Sequence, residues 1–309
     1  MKVALIIIYN HQFNKNIEVL ERIYRDRFSH IYHLVPFYMG DKSNVIPVYD
    51  SSHYFQGYIA QGLKSFFKNE FDHYFFIADD LILNPTINER NYTVHLRLKQ
   101  GTCYLPNFIT LHEREDYWLR VGEAYHYNIN LAGVEAKDQL PGVEIALQKF
   151  KHFGLKIKPL KYSQIWKTPK TESLKELLVS ILRNRGSYFR YIKSKFTNIK
   201  YSIPYPIVGS YSDVFVVSSD SIRQFCHYCG VFAATRLFVE VAIPTSLVLS
   251  AQEIVTENDL KLNGKALWTK EQFRELDKYE QSLQKLFEEF PPNYLYLHPI
   301  KLSKWNTDL

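Results

Sequence analysis

His73-Tyr74-Phe75-Phe76-Ile77-Ala78-Asp79-Asp80-Leu81-Ile82-Leu83-Asn84-Pro85 is an apolar run that ends in two adjacent carboxylates, resumes as apolar residues and stops at a proline. Aromatic and β-branched residues in succession suit a strand covered on both faces, and Asn84-Pro85 is a stop signal. Neighbouring carboxylates repel, so placing two of them beside a core strand costs stability unless a cation or hydrogen-bond donors receive them. In open α/β sheets, ligands sit outside the carboxyl ends of the strands, where this pair would lie. Hard oxygen ligands there suit Mg2+ or Mn2+ carrying a diphosphate. A surface turn that happens to hold two acids is the plainer alternative.

Before this stretch, Val3 to Ile8 reads as a first strand, leading through Tyr9-Asn10-His11 to a helix with Ile17, Leu20, Ile23 and Tyr24 on one face. Ile31 to Val35 and Val45 to Tyr49 read as two more strands, and Ile59, Leu63, Phe66 and Phe67 mark a second helix. Strands alternating with helices predict an α/β fold, a doubly wound and mostly parallel sheet. Neither a Gly-x-Gly-x-x-Gly fingerprint nor a Walker loop occurs, so any nucleotide must be held by metal and side chains. Tyr9, Asn10 and Asp50, which follow strands, and Gln56, which opens the second helix, fall near the expected ligand edge.

After it, Ile207 to Val217 reads as a polar turn leading into a strand, with Asp220 as the N-cap of a helix that Gly230 would stop. Cys226 and Cys229 lack the second pair that a metal site needs and read as buried thiols on that helix. Glu240 interrupts the apolar run Leu237 to Thr245. Burial there would raise its pKa and suit it to general base work, while an ion pair with Arg236 or Arg223 is the structural alternative. Thr269-Lys270-Glu271-Gln272 is a capping box, and Phe273, Leu276, Leu283, Leu286 and Phe287 predict one helix that Pro291-Pro292 ends. His298 closes a final alternating strand, where an imidazole could complete a metal site begun by Asp80, with Lys301 near the phosphates.

Composition bounds the class. The chain has 309 residues, 46% hydrophobic and 23% charged, as expected of an ordinary globular domain. Met1 to Asn10 is too short and too promptly polar for a signal peptide, and three cysteines are too few for a disulfide framework, so the cytoplasm is expected. Residues 149–200 hold fourteen Lys or Arg and two acids, Glu172 and Glu176, a net +12 that leaves −6 for the rest of the chain. Such polarity implies an anionic partner. The aromatic and basic residues of 183–200 suit peripheral association with an anionic membrane face or a lipid-linked acceptor, and equally a solvated helix face. Nothing in the sequence accompanies the charge that would mark nucleic-acid binding.

The Ala78-Asp79-Asp80 tip resembles the Asp-x-Asp element of GT-A glycosyltransferases, with the first acid missing and the other two present. The resemblance extends in order over most of the chain: a first strand, acids near 80, an acid near 240 and a late His, as in bacterial enzymes of capsule or O-antigen polysaccharide assembly. It implies a single GT-A-like domain over 1–309 with a basic, partly helical insertion at about 149–203. It further implies a divalent metal held by Asp80 and His298, and a nucleotide-sugar donor, such as a UDP-sugar, contacted by Tyr9, Asn10, Asp50, Gln56, Asp79 and Lys301. A glycan or lipid-linked acceptor would lie at Gly209 and Asp213, with Glu240 as the base of an inverting transfer. A sugar nucleotidylyltransferase is a rival, against which stands the lack of glycine in residues 3–14. A non-catalytic glycan- or lipid-binding module is another, supported by the missing first acid.

Overall fold

The computed structural model describes residues 1–136, 138–171 and 173–309. Four strands, β1 (Val3–Ile8), β2 (Ile31–Pro36), β3 (Val45–Val48) and β4 (His73–Ala78), run parallel, with α1 (Lys15–Tyr24) and α2 (Gln56–Phe66) in the crossovers. Beyond β4 come the short β5 (Ile82–Leu83), α3 (Tyr92–His95), β6 (Thr102–Tyr104), α4 (Leu119–His126) and α5 (Val143–His152). Next, β7 (Leu160–Lys161) and β8 (Lys200–Tyr201) pair and bracket α6 (Tyr162–Ile165), α7 (Leu174–Arg183) and α8 (Arg185–Phe196). The chain then forms β9 (Val214–Ser218), α9 (Ile222–Ala234), α10 (Val239–Ser250), β10 (Glu253–Val255) and β11 (Asn263–Ala266). It ends with α11 (Lys270–Phe273), α12 (Leu283–Glu288) and β12 (Tyr294–His298).

The central sheet has the order β10-β6-β9-β4-β1-β2-β3. It is mostly parallel, as expected of an α/β chain, but β9 runs antiparallel to both β4 and β6. This reversal brings the residue before β9 to the edge at which β1 to β4 end. Ile77 pairs with Val214, and the Ala78 amide donates to the Asp213 carbonyl at 2.8 Å. A second sheet, β11-β12-β5, is built on that edge, with β12 antiparallel to β5 and Leu297 opposite Ile82.

Alternation along β1 sorts the core. Val3, Leu5 and Ile7 face α1 and the C-terminal segment, while Ala4, Ile6 and Ile8 face α2, α9 and α10. Period-two side-chain geometry requires this of any strand covered on both sides. Phe76, wholly buried, stacks on Phe215 across β4 and β9 at 4.7 Å between ring centroids and approaches Phe225 of α9 at 6.4 Å. A third cluster lies under α4, α5, α6 and α10.

Three local expectations are corrected. Gly230 does not stop α9, which runs on to Ala234; a Cβ at 230 would lie 3.3 Å from the Ala60 Cβ, so the glycine lets α9 lie close against α2. The N-cap of that helix is Ser221 rather than Asp220. The single C-terminal helix is broken in two, because Glu280 and Gln281 take positive φ between α11, with its 3-10 extension over Arg274–Tyr279, and α12. The capping box at Thr269 and Gln272 is present. Glu172 lies outside the described residues. Among the described residues, no helix is long and apolar enough to cross a membrane.

Because Phe76 fills the contact between β4, β9 and α9, Phe76→Ala should lower unfolding free energy by about 3–5 kcal/mol. Chemical denaturation checks this: the midpoint falls while the denaturant dependence is unchanged.

Candidate functional site

Asp79 and Asp80 form the turn between β4 and β5, at the carboxyl edge of the parallel strands. The Asp79 amide still donates to Ile8 of β1 at 2.9 Å, so the ladder holds the turn in place. Its carboxylate is only 8% exposed and accepts from Asn16 Nδ2 at 3.0 Å. Burial first, and the neighbouring Asp80 second, push the Asp79 carboxyl up to about 7.

The chain returns to this turn much later. Ile300 donates its amide to the Asp80 carbonyl at 2.6 Å, and β12 pairs with β5, so His298 stands over the acids. His298 Nε2 lies 3.1 Å from Asp80 Oδ1 and 4.0 Å from Asp213 Oδ2. Burial opposes a charge on this imidazole, yet Asp80, Asp213 and Asp79 outweigh it and raise its pKa. Asp213 is itself raised, by burial and then by Asp80, with His298 acting against them. Asp213 was expected at the acceptor. The reversed β9 places it instead opposite Ala78, the position where the Asp-x-Asp pattern lacks its first acid.

Beside this cluster opens a cavity of about 550 Å³ whose walls include Trp118, Trp268, Tyr211, Tyr296, Arg114 and Glu240. Tyr211 joins the two: its ring stacks on Tyr296 at 5.8 Å and meets His298 at 5.7 Å and Trp268 at 6.1 Å. Tyr296 and Tyr104 donate their hydroxyls to one oxygen of Glu257, and the Gly264 amide donates to the other, which fixes this wall. Gly209 bridges to Ile109 through backbone hydrogen bonds, and a Cβ on it would lie 2.9 Å from the Trp118 indole. The glycine therefore seats Trp118 against the chain, as part of the wall. A larger hollow of about 750 Å³ beside α1 and β2 contains none of these groups and is lined by surface side chains such as Glu18, Arg22 and Arg25.

Glu240 enters the cavity from the first turn of α10. Neither of the expected partners pairs with it: Arg236 reaches Asp50 at 3.4 Å, and Arg223 lies over the Phe67 ring. Its cation is Arg120, with Nε 4.0 Å away, and that guanidinium also binds Glu123 at 2.7 Å and covers Phe238. Burial raises the Glu240 carboxyl to about 7; Arg120 works against the rise, and Asp213 and Glu123 add to it. This carboxyl sits within the field of Asp213.

Several expected ligand contacts are placed elsewhere. Tyr9 is fully buried with its hydroxyl 2.9 Å from His33 Nδ1, and Gln56 is fully buried, donating to the Leu237 carbonyl at 2.7 Å. Both are interior ties, because each side chain points from its strand or helix end into the core. Asn10 stays at the edge, beside Asp79. Asp50 also ends a parallel strand, but three strands from β4, roughly 14 Å at ordinary strand spacing. Lys301 lines a separate hollow with Phe273 and Trp305. Trp118, Trp268, Tyr211 and Arg120 were not foreseen. For the two tryptophans the only advance signal was their rarity, two of the chain's four lining this cavity; Tyr211 and Arg120 gave none.

Among the described residues, no three His, Cys, Asp or Glu side chains are already spaced around a cation. The donors nevertheless fit one chemically: His298 Nδ1 is buried without a hydrogen-bond partner among the described residues, and the buried Asp80 Oδ1 faces the His298 Nε2 at 3.1 Å, an acid and an imidazole turned toward each other. Carboxylate oxygens suit Mn2+ or Mg2+, and an imidazole nitrogen beside them favours the transition ion, Mn2+, of the two. The fold and site define an α/β chain with an acidic, imidazole-bearing edge at the carboxyl ends of its parallel strands. Comparison with protein-family models, curated proteins and solved structures finds no match to this chain.

The raised Glu240 pKa has a signed consequence for stability. Folded protein keeps a proton that the unfolded chain releases above about 4.5, so this group's contribution is lost as pH rises from 4.5 to about 7. Glu240→Gln removes the dependence. Relative to the parent, the variant should gain stability progressively across that window and no further above it, as read by denaturation at a series of pH values.

Proposed function

We propose that this chain is a metal-dependent glycosyltransferase of GT-A-like fold that moves a sugar from a nucleotide diphosphate donor, such as a UDP-sugar, to a glycan or lipid-linked glycan. One observation carries the reading. Acids and an imidazole from three distant stretches, Asp79-Asp80, Asp213 and His298, meet at the carboxyl edge of the parallel strands beside a cavity that contains Glu240. That edge is where α/β sheets bind nucleotides. The cavity's two tryptophans, Trp118 and Trp268, offer the kind of apolar surface that sugar rings stack on.

In this reading Asp80, Asp213 and His298 would hold the cation, which when bound would offset charge on the leaving diphosphate. Glu240 in its ionised form takes the proton of the acceptor hydroxyl. The acceptor oxygen then bonds to the anomeric carbon, the bond from that carbon to the diphosphate oxygen breaks, and nucleoside diphosphate leaves. A single displacement inverts the anomeric centre. Arg120 orients Glu240 and keeps enough positive charge nearby for it to ionise near neutral pH. Cell-surface polysaccharide assembly, of capsule or O-antigen type, at the cytoplasmic face of a membrane is the setting this chemistry suits.

A second reading, a glycan-binding module without transfer, draws on Ala78, which stands where the pattern has its first acid. Metal-dependent hydrolysis of a panel of sugar nucleotides separates the two readings, and release of pyrophosphate from nucleoside triphosphate and sugar phosphate would instead identify a nucleotidylyltransferase. Under the transfer reading, Asp80→Asn should cut turnover on the order of a hundredfold or more, and excess chelator should do the same to the parent. Full turnover in chelator would end this reading.

Glu240→Gln should leave donor affinity intact while turnover falls by roughly 10²–10⁴-fold. In the parent, turnover should climb as pH rises through about 7 and then level, because the base acts deprotonated. A flat profile, or product with retained configuration, would remove Glu240 from the role of base.

A further inference from the structure

We infer that the hairpin of α7 and α8 is a docking face for an anionic lipid bilayer. This inference does not rest on the transfer reaction. Leu174, Leu178 and Leu182 recur every fourth residue along α7, and Phe189, Ile192 and Phe196 recur at three and four along α8, so each set forms one stripe. All six are exposed, Leu174 by 80%, Leu182 by 72% and Phe196 by 86%, and neither helix buries a described residue.

The opposite face of α8 is what the protein itself uses. Tyr188 and Tyr191 meet the Trp166 ring at 5.0 and 6.1 Å, the Tyr162 hydroxyl donates to Ser187 at 3.2 Å, and Arg190 lies over the Tyr162 ring. With α8 clamped to the body through these groups, its outward stripe has no part in holding the fold. A soluble chain rarely leaves six large apolar side chains outward on two adjacent helices without a surface to receive them.

Charge identifies that surface. Residues 174–196 carry Lys175, Arg183, Arg185, Arg190, Lys193 and Lys195 against Glu176 alone, a net +5. A second copy docked through the same face would set +5 against +5, whereas anionic headgroups complement the cations while the acyl boundary takes the apolar stripes. Helices of 10 and 12 residues are about half the length needed to span a bilayer, so they would lie in its interface.

The test is sedimentation of the full chain with vesicles of phosphatidylcholine alone or mixed with phosphatidylglycerol. Binding to the mixed vesicles, weakened by added salt and absent with phosphatidylcholine alone, is expected. Arg185→Gln, Lys193→Gln and Lys195→Gln together should weaken it on the order of a hundredfold, about fivefold for each cation. Phe189→Glu with Phe196→Glu should abolish it while the melting temperature stays at the parental value, since both side chains are exposed. Failure to bind the mixed vesicles, or equal binding to both kinds, would overturn the inference. A vesicle-free dimer that Phe189→Glu dissociates, in a protein that ignores lipid, would assign the face to a second copy instead.

Discussion

Like charges gathered at one sheet edge are the constraint on which the rest of this structure depends. Asp79, Asp80 and Asp213 are brought together by parallel β4 and reversed β9, and each is at least partly removed from water. Their repulsion is spread over several devices. Burial and Asp80 push the Asp79 carboxyl up to about 7, Asn16 donates to it, and His298 carries a raised pKa between Asp80 and Asp213. An arrangement that a single added cation would relieve is costly for a purely structural purpose, since an apolar turn would close the strand at less expense. The same field reaches Glu240 across the cavity and helps to hold its carboxyl near neutrality.

Much of the scaffold was legible in the residues. The apolar runs Val3–Ile8 and His73–Ala78 are central strands because nothing but burial on both faces explains them, and the 3.6 period of Ile17, Leu20, Ile23 and Tyr24 marks the buried side of α1. The reversal of β9 was not legible. A strand buried on both sides reads the same in either direction, and its sense shows only in its antiparallel pairing with β4 and β6. That reversal is what makes Asp213 a neighbour of His298 rather than an isolated acid in a polar turn.

The candidate site divides along the same line. Asp80, Glu240 and His298 could be named because a polar group ending or interrupting an apolar run is a local anomaly. Tyr9 and Gln56 were misplaced because position at a strand or helix end does not determine whether a side chain turns outward, and here His33 and the Leu237 carbonyl draw both inward. Arg120 was invisible for the opposite reason. It lies 120 residues before Glu240 on α4, and only the packing of α4 with α10 brings the two together.

The amide link from Ile300 to the Asp80 carbonyl also bears on the order in which the molecule matures. A ribosome delivers Asp79 and Asp80 more than two hundred residues before His298. Through most of synthesis the growing sheet therefore carries its acid pair without the imidazole and without β12 to close over it. The first four strands can pair early, but the acidic edge stays open to water and to passing cations until the last strand of the second sheet docks. The acidic edge is thus completed only after the scaffold that carries it, and a nascent chain has the first strands before it has the candidate site.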